Sequence, residues 1–124
     1  MGKILIVDDS VTVRLYHKQI LENAGYEIDE AENGMEALEK TNENDYDICL
    51  VDINMPILDG YSFVKRFREQ SGYDTVIIMI STESEKSDRV IAYEAGANFY
   101  QVKPVGSDEL VSNIKFLTLN KNEI

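Results

Sequence analysis

Ile4-Leu5-Ile6-Val7-Asp8-Asp9-Ser10 opens the chain with four consecutive apolar residues, three of them β-branched, followed at once by two carboxylates. The pattern returns twice: Ile48-Cys49-Leu50-Val51 runs into Asp52, and Val76-Ile77-Ile78-Met79-Ile80 runs into Ser81. Continuously apolar runs of four or five residues predict strands buried on both faces, as in a parallel sheet covered by helices. Tyr26 to Ala31 and Asn98 to Val102 alternate more, so they are expected at the sheet edges. Helical spacing fills the intervals. Val13, His17, Ile20 and Ala24 share one face, with Leu21 beside them and Gly25 as a C-terminal stop. Ala37, Leu38 and Thr41 follow Gly34; Phe63, Val64 and Phe67 follow Gly60; Val90, Ile91 and Ala95 precede Gly96. Leu110, Val111, Ile114 and Leu117 form the last stripe, with Ser107 expected as its N-cap and Asp108 and Glu109 in its first turn. A strand-helix unit repeated five times, joined by right-handed crossovers, gives a three-layer α/β/α sandwich around a parallel sheet.

Composition narrows the function. The 124 residues carry 23 acidic and 12 basic side chains, a formal charge of −11, and 44% are hydrophobic. This suits a single domain spanning residues 1–124 and is too apolar for a disordered acidic tail. So negative a chain is a poor direct partner for nucleic acid or an anionic membrane, because phosphate contacts need clustered Lys and Arg. A single cysteine, Cys49, excludes an internal disulfide framework and a multi-cysteine metal site. No apolar run approaches the ~20 residues of a membrane span, and the run after Met1 to Lys3 is too short for a signal-peptide core. The expectation is a soluble cytoplasmic domain. The polar tail, Asn120 to Ile124, suits either a complete protein or a domain of a longer one.

In open parallel α/β sheets, function gathers beyond the carboxyl ends of the strands. Those ends deliver Asp8 and Asp9, then Asp52, then Ser81, then Lys103-Pro104. Two like charges ~4 Å apart repel by about 4 kcal/mol at an effective dielectric of 20, so three carboxylates call for a remedy. A divalent cation with hard-oxygen preferences supplies one: Mg²⁺ suits a shallow site with few protein ligands, and Ca²⁺ is chemically allowed. A carboxylate beside such a cation can attack phosphorus and form an acyl phosphate. Asp52 is the favoured nucleophile because it ends the central strand and leads into a loop, Ile53 to Gly60. Lys103 would neutralise charge on the transferring group, and Ser81 could donate to one of its oxygens. Asp and Ser at any one strand end are ordinary turn formers. Five convergent positions from four strands are not explained that way.

These residues resemble the receiver domain of two-component response regulators, in the style of the stand-alone chemotaxis regulators. The match is carried by Ile4 to Ser10, by Asp52-Ile53-Asn54-Met55-Pro56 with Asp59-Gly60, and by Ile80-Ser81, Ala95-Gly96-Ala97 and Lys103-Pro104. The resemblance implies a flavodoxin-like sheet of order 2-1-3-4-5. It implies that Asp52 accepts a phosphoryl group from a phosphohistidine on a histidine kinase. Asp9, Asp52 and the main-chain carbonyl of Asn54 would ligate Mg²⁺ directly, with Asp8 acting mainly through water. Ser81 and Lys103 would engage the phosphoryl group, the Lys103-Pro104 bond would be cis, and Tyr100 would be an aromatic switch. A protein target would bind the face formed by the fourth helix, fifth strand and fifth helix, possible settings being chemotaxis or flagellar-motor control. The resemblance describes a monomeric switch that catalyses its own phosphotransfer and autodephosphorylation, not a conventional enzyme. Asn54 and Glu83 are placed to tune the attacking water and predict a short-lived phosphorylated state. Thr82, where the family usually has Ala or Gly, predicts narrowed access to Asp52.

Other residues have plainer readings. His17 has no second histidine to complete a site and reads as a histidine at the core edge. Cys49 reads as a small core residue, and Met55-Pro56 as loop formers. Phe99 and Tyr93 could enlarge an apolar patch or simply pack. Arg89, like Glu83, Glu85 and Asp88, reads as a solvated charge. A haloacid-dehalogenase-like phosphatase would want a second Asp at position 54, where Asn54 stands, and a cap insertion that is missing. A nucleotide or flavin binder would want a glycine-rich loop, yet no glycine occurs between Lys3 and Ala24. A silent scaffold would not need the intact acidic pair, acceptor, hydroxyl and lysine. No output domain fits after Leu117, so output is expected through a partner.

Overall fold

A computed structural model describes residues 2–119. The tail 120–124 lies outside the described residues. Five strands, β1 (Lys3–Val7), β2 (Glu27–Ala31), β3 (Ile48–Val51), β4 (Val76–Ser81) and β5 (Phe99–Val102), alternate with five helices. These are α1 (Val11–Asn23), α2 (Gly34–Glu43), α3 (Gly60–Ser71), α4 (Lys86–Ala95) and α5 (Ser107–Leu117). The strands form one parallel sheet of order β2-β1-β3-β4-β5. The three continuously apolar runs are its interior, and the two alternating segments are its edges, as their patterns require.

Strand pleating divides the core into two layers. Leu5, Val7, Cys49, Val51, Ile77 and Met79 face α2, α3 and α4, where they meet Ala37, Phe63, Val64 and Ala92. Ile4, Ile6, Ile48, Leu50, Ile78 and Ile80 face α1 and α5, packing with Leu21, Leu110 and Ile114. Each fully buried aliphatic side chain contributes roughly 1.5–3 kcal/mol of transfer free energy. Helix starts are set by local chemistry. Ser10 Oγ accepts from Val13 N, Asn33 Oδ1 from Glu36 N, and Asp59 Oδ2 from Tyr61 N and Ser62 N. Gly25, at φ 97°, follows the α1 cap residue Ala24 and turns the chain toward β2.

Three local expectations change. Helix α5 is capped by Gly106, and Ser107 is its first helical residue without a side-chain capping bond. Helix α4 buries only Ala92: Val90 and Ile91 are 45% and 48% exposed, because the helix rests on the sheet through its small residue and turns its β-branched pair outward. Helix α1 buries Arg14 with His17 and Leu21, an inward charge that no apolar period signals. A second buried cation, Arg68, is held by oxygens of the main chain and of Asn98. It donates to the carbonyls of Gly96, Gly72 and Thr75 and to Asn98 Oδ1, tying the end of α3 to the starts of β4 and β5.

At the amino-terminal edge of the sheet, Tyr46 Oη donates to Asp29 Oδ2 at 2.6 Å. That bond holds the Asp29 carboxyl below its ordinary value of 3.8 despite some burial, with Lys3 helping. The bond therefore stabilises the fold above pH 3.8, and its contribution is lost as pH falls through the lowered folded value. Tyr46→Phe is expected to cost about 1 kcal/mol at neutral pH. Urea unfolding across a pH series checks this: the deficit shrinks below pH 3.8.

Candidate functional site

The parallel register sets Val7 beside Val51, Val51 beside Met79, and Ser81 beside Val102. The next residues along these strands, Asp8, Asp52 and Lys103, thereby converge with Ser81 at one edge. Asp8 is 2% exposed and fully engaged. Its Oδ1 accepts from Ser10 N at 2.9 Å, its Oδ2 from Lys103 Nζ at 3.0 Å, and its main-chain carbonyl from Arg14 Nη1 at 2.6 Å. Asp52 is buried, and its Oδ1 accepts from Lys103 Nζ at 3.1 Å. Asp9 is exposed. Oxygens of Asp8, Asp9 and Asp52 lie within 4.8 Å of one another.

The electrostatics follow. Burial pushes the Asp52 carboxyl above its ordinary range and Asp8 adds to that, while Lys103 partly offsets both. Burial pulls the Lys103 ammonium down, but the two carboxylates beside it outweigh burial and hold it above its usual value. Lys103 is thus a fixed positive charge bridging two acids from different strands. Three hard-oxygen donors, one open to solvent, with neither sulfur nor imidazole among them, fit a divalent cation such as Mg²⁺.

The loop from Ile53 to Gly60 is shaped by close approaches. Gly60 N donates to Ile53 O at 2.8 Å, and a Cβ on Gly60 would collide with the Asp52 carbonyl oxygen, so only glycine lets α3 start there. At the loop tip, Leu58 N donates to Pro56 O at 2.7 Å around Ile57, whose φ is 70°. A β-branched residue at positive φ is strained, and Ile57 is 78% exposed, so no packing repays the strain. Asn54 projects from this loop, exposed.

On the other flank, Ser81 is buried and its Oγ accepts from Glu83 N at 3.1 Å. Tyr100 is 2% exposed, and its hydroxyl donates to Glu83 O at 2.8 Å. Ser81 and Tyr100 therefore hold the two sides of one residue in the loop between β4 and α4. Thr82 is exposed and, with Val13, His17, Lys103 and Val105, lines a cavity of about 240 Å³. The Lys103-Pro104 bond is cis. His17 is buried; its Nδ1 has no hydrogen-bond partner, and burial foremost and Lys103 next keep its imidazole below the ordinary range. Cys49 lies buried in β3. Asp8, Asp9, Asp52, Ser81 and Lys103 lie at this edge and Asn54, Thr82 and Glu83 in the loops beside it, whereas Tyr100 sits within β5 and reaches the β4–α4 loop through its hydroxyl. Sequence reasoning missed Arg14, which orients Asp8 from below, and Arg89, whose guanidinium lies 5.1 Å from the Tyr100 ring centroid instead of being merely solvated.

A family model, the response regulator receiver domain, matches residues 4–115. The chain belongs to that family. The curated relatives include the transcriptional regulatory protein ResD of Bacillus subtilis, 43% identical over 93% of this chain and 47% of the relative. Another is the transcriptional regulatory protein SrrA of Staphylococcus aureus, 41% identical over 94% and 47%. The chain spans about half the length of these relatives. Among solved structures, the chemotaxis protein CheY4 of Vibrio cholerae superposes with a TM-score of 0.88 at 37% identity, covering 94% of this chain and 98% of that one. The response regulator TrrA of Thermotoga maritima, in complex with Mg²⁺-BeF, gives 0.85 at 38% identity, covering 94% and 99%. Receiver domains are signalling switches that bind Mg²⁺ at an acidic pocket and take phosphate from histidine kinases. Among the described residues of this receiver, no helix is long and apolar enough to cross a membrane.

The buried Asp52 carboxylate costs this receiver stability. Because the folded Asp52 carboxyl titrates above its ordinary value, its ionised form disfavours the fold at neutral pH. Asp52→Asn keeps the shape and removes the charge, so it is expected to raise stability by about 0.5–2 kcal/mol. Thermal melts at pH 7 and near pH 4 check this, the gain being larger at the higher pH.

Proposed function

We propose that this chain, residues 1–124, is a single receiver domain that accepts a phosphoryl group on Asp52 from the phosphohistidine of a histidine kinase. The observation that carries the reading is the Lys103 ammonium bridging Asp8 and Asp52 beside an exposed third carboxylate. An Asp52 oxygen attacks phosphorus, the bond from phosphorus to the donor imidazole nitrogen breaks, and the imidazole leaves with the electron pair. Lys103 stays paired with the charge that arrives, and Ser81 Oγ, released from Glu83 N, donates to a phosphoryl oxygen. Asp8, Asp9, Asp52 and the Asn54 carbonyl would hold Mg²⁺, which when bound neutralises charge on the transferred group.

Phosphorylation then competes for Ser81, which loosens its hold on the loop that Tyr100 also holds. Tyr100 is the aromatic switch, and the face of α4, β5 and α5 is the output surface for a protein target. The exposed pair Val90 and Ile91, with Tyr93, supports that assignment. The switch works in the cytoplasm as a monomer that contacts neither membrane nor nucleic acid itself. It is not a conventional enzyme, though it catalyses its own phosphotransfer and autodephosphorylation. Two outputs have support: transcriptional control, from the ResD and SrrA relatives, and chemotaxis or flagellar-motor control, from the CheY4 likeness.

Acetyl phosphate with Mg²⁺ is expected to add one phosphoryl group by intact mass, and omission of Mg²⁺ or Asp52→Asn to abolish the adduct. An adduct that persists in Asp52→Asn would refute the assignment. With Asn54 and Glu83 flanking the acceptor, the adduct is expected to decay within seconds to minutes, followed by quenched time points. Thr82→Ala opens the exposed approach past Lys103 and is expected to raise the initial rate with acetyl phosphate.

A further inference from the structure

The structure points to a role for Arg89 beyond the site itself: we propose that Arg89 is the positioning residue that locks α4 to Tyr100 and so sets how readily Asp52 is phosphorylated. This rests on the reading of Tyr100 as the switch.

Three observations carry it. Helix α4 has a weak apolar anchor, since Ala92 is its one buried residue while Val90, Ile91 and Tyr93 are 45–48% exposed. Two methyl groups, Ala92 buried and Ala95 partly buried against the same core, do not fix the rotation of a ten-residue helix, so its polar tethers decide where it sits. Among the described residues there are two such tethers in its first half. Tyr61 Oη on α3 donates to Asp88 O at 3.2 Å, and the Arg89 guanidinium covers the Tyr100 ring at 5.1 Å from the centroid. The covered ring is the one whose hydroxyl holds Glu83 O, while Ser81 holds Glu83 N. Arg89, Tyr100, Glu83 and Ser81 thus form a chain from the outer helix to the residue that would meet the phosphoryl group.

The chemistry selects Arg for this post. A planar guanidinium stacks on a ring face while its edge stays hydrated, whereas an ammonium loses hydration to make the same contact. With Arg89 over its ring and Glu83 at its hydroxyl, Tyr100 is gripped at both ends. With Tyr100 held, Glu83 keeps its second anchor when Ser81 Oγ turns from Glu83 N to the phosphoryl group. Removing the grip leaves Glu83 without that anchor, so the arrangement in which Ser81 meets the phosphoryl group is less populated.

The test uses the whole chain with Arg89→Ala, Arg89→Lys, Tyr100→Leu and the double variant Arg89→Ala/Tyr100→Leu. Hydrogen exchange of α4 amides and the initial rate of acetyl-phosphate adduct formation are read on the same samples. Arg89→Ala is expected to speed exchange in α4 about tenfold and slow adduct formation about threefold, with exchange in α1 and α5 unmoved. Arg89→Lys restores part of both effects. In the Tyr100→Leu background, the Arg89→Ala change has no further effect on either readout, because the two residues act as one unit. Wild-type exchange and rate in Arg89→Ala, or full additivity with Tyr100→Leu, would overturn the proposal. If the wild-type chain forms no adduct, it is the phosphoacceptor reading that fails. Normal wild-type phosphorylation with an inert Arg89 defeats the present inference alone.

Discussion

Everything at the carboxyl edge of the sheet depends on one ammonium group. Without Lys103, Asp8 and Asp52 would be two carboxylates facing one another in a buried setting, each losing hydration and repelling the other. With it, the pair is tied across three strands, since Lys103 follows β5 while the acids follow β1 and β3. The arrangement leaves a deficit of positive charge, because among the described residues only Lys103 pairs with the carboxylates of Asp8 and Asp52, and Asp9 beside them adds a third. A site short of one or two positive charges attracts a divalent ion, and its lysine is already in place to meet an incoming anionic group.

The fold meets this demand by placing rigid elements beneath a soft rim. Asp8 is fixed through both carboxylate oxygens and its carbonyl, and Asp52 is fixed by the packing of Gly60 against its main chain. The rim is different. Ile57 sits at positive φ on an exposed loop tip, and the segment between β4 and α4 is held chiefly by side-chain bonds to Glu83. Precision is concentrated around the proposed acceptor carboxylate, and compliance in the loops that surround it.

Much of this was legible in the sequence because the chemistry sits at the ends of apolar runs. Asp8, Asp9, Asp52, Ser81 and Lys103 stand where a continuous hydrophobic strand stops, and strand ends in a parallel sheet share one edge. The sheet order was not legible from patterning and came from family resemblance. The buried arginines were not legible either. Arg14 is satisfied by the Asp8 carbonyl and the Glu30 carboxylate, and Arg68 by main-chain carbonyls and Asn98 Oδ1, partners up to 16 and 30 residues away in sequence, so no local period announces them. Helix α4 misled for a related reason. Val90, Ile91 and Ala95 have core spacing, yet the helix docks through Ala92, which carries little weight in any hydrophobic count.

The partition of the core by the sheet has a mechanical consequence. Tyr100, Ala92 and Phe63 belong to the layer under α2, α3 and α4, while α1 and α5 rest on a separate layer built around Leu21, Leu110 and Ile114. The two share no side chains, only the backbone plane between them. A rearrangement of Tyr100 would therefore strain α4 and β5 first, so that the face they share with α5 would change by one flank sliding against another anchored in a different layer.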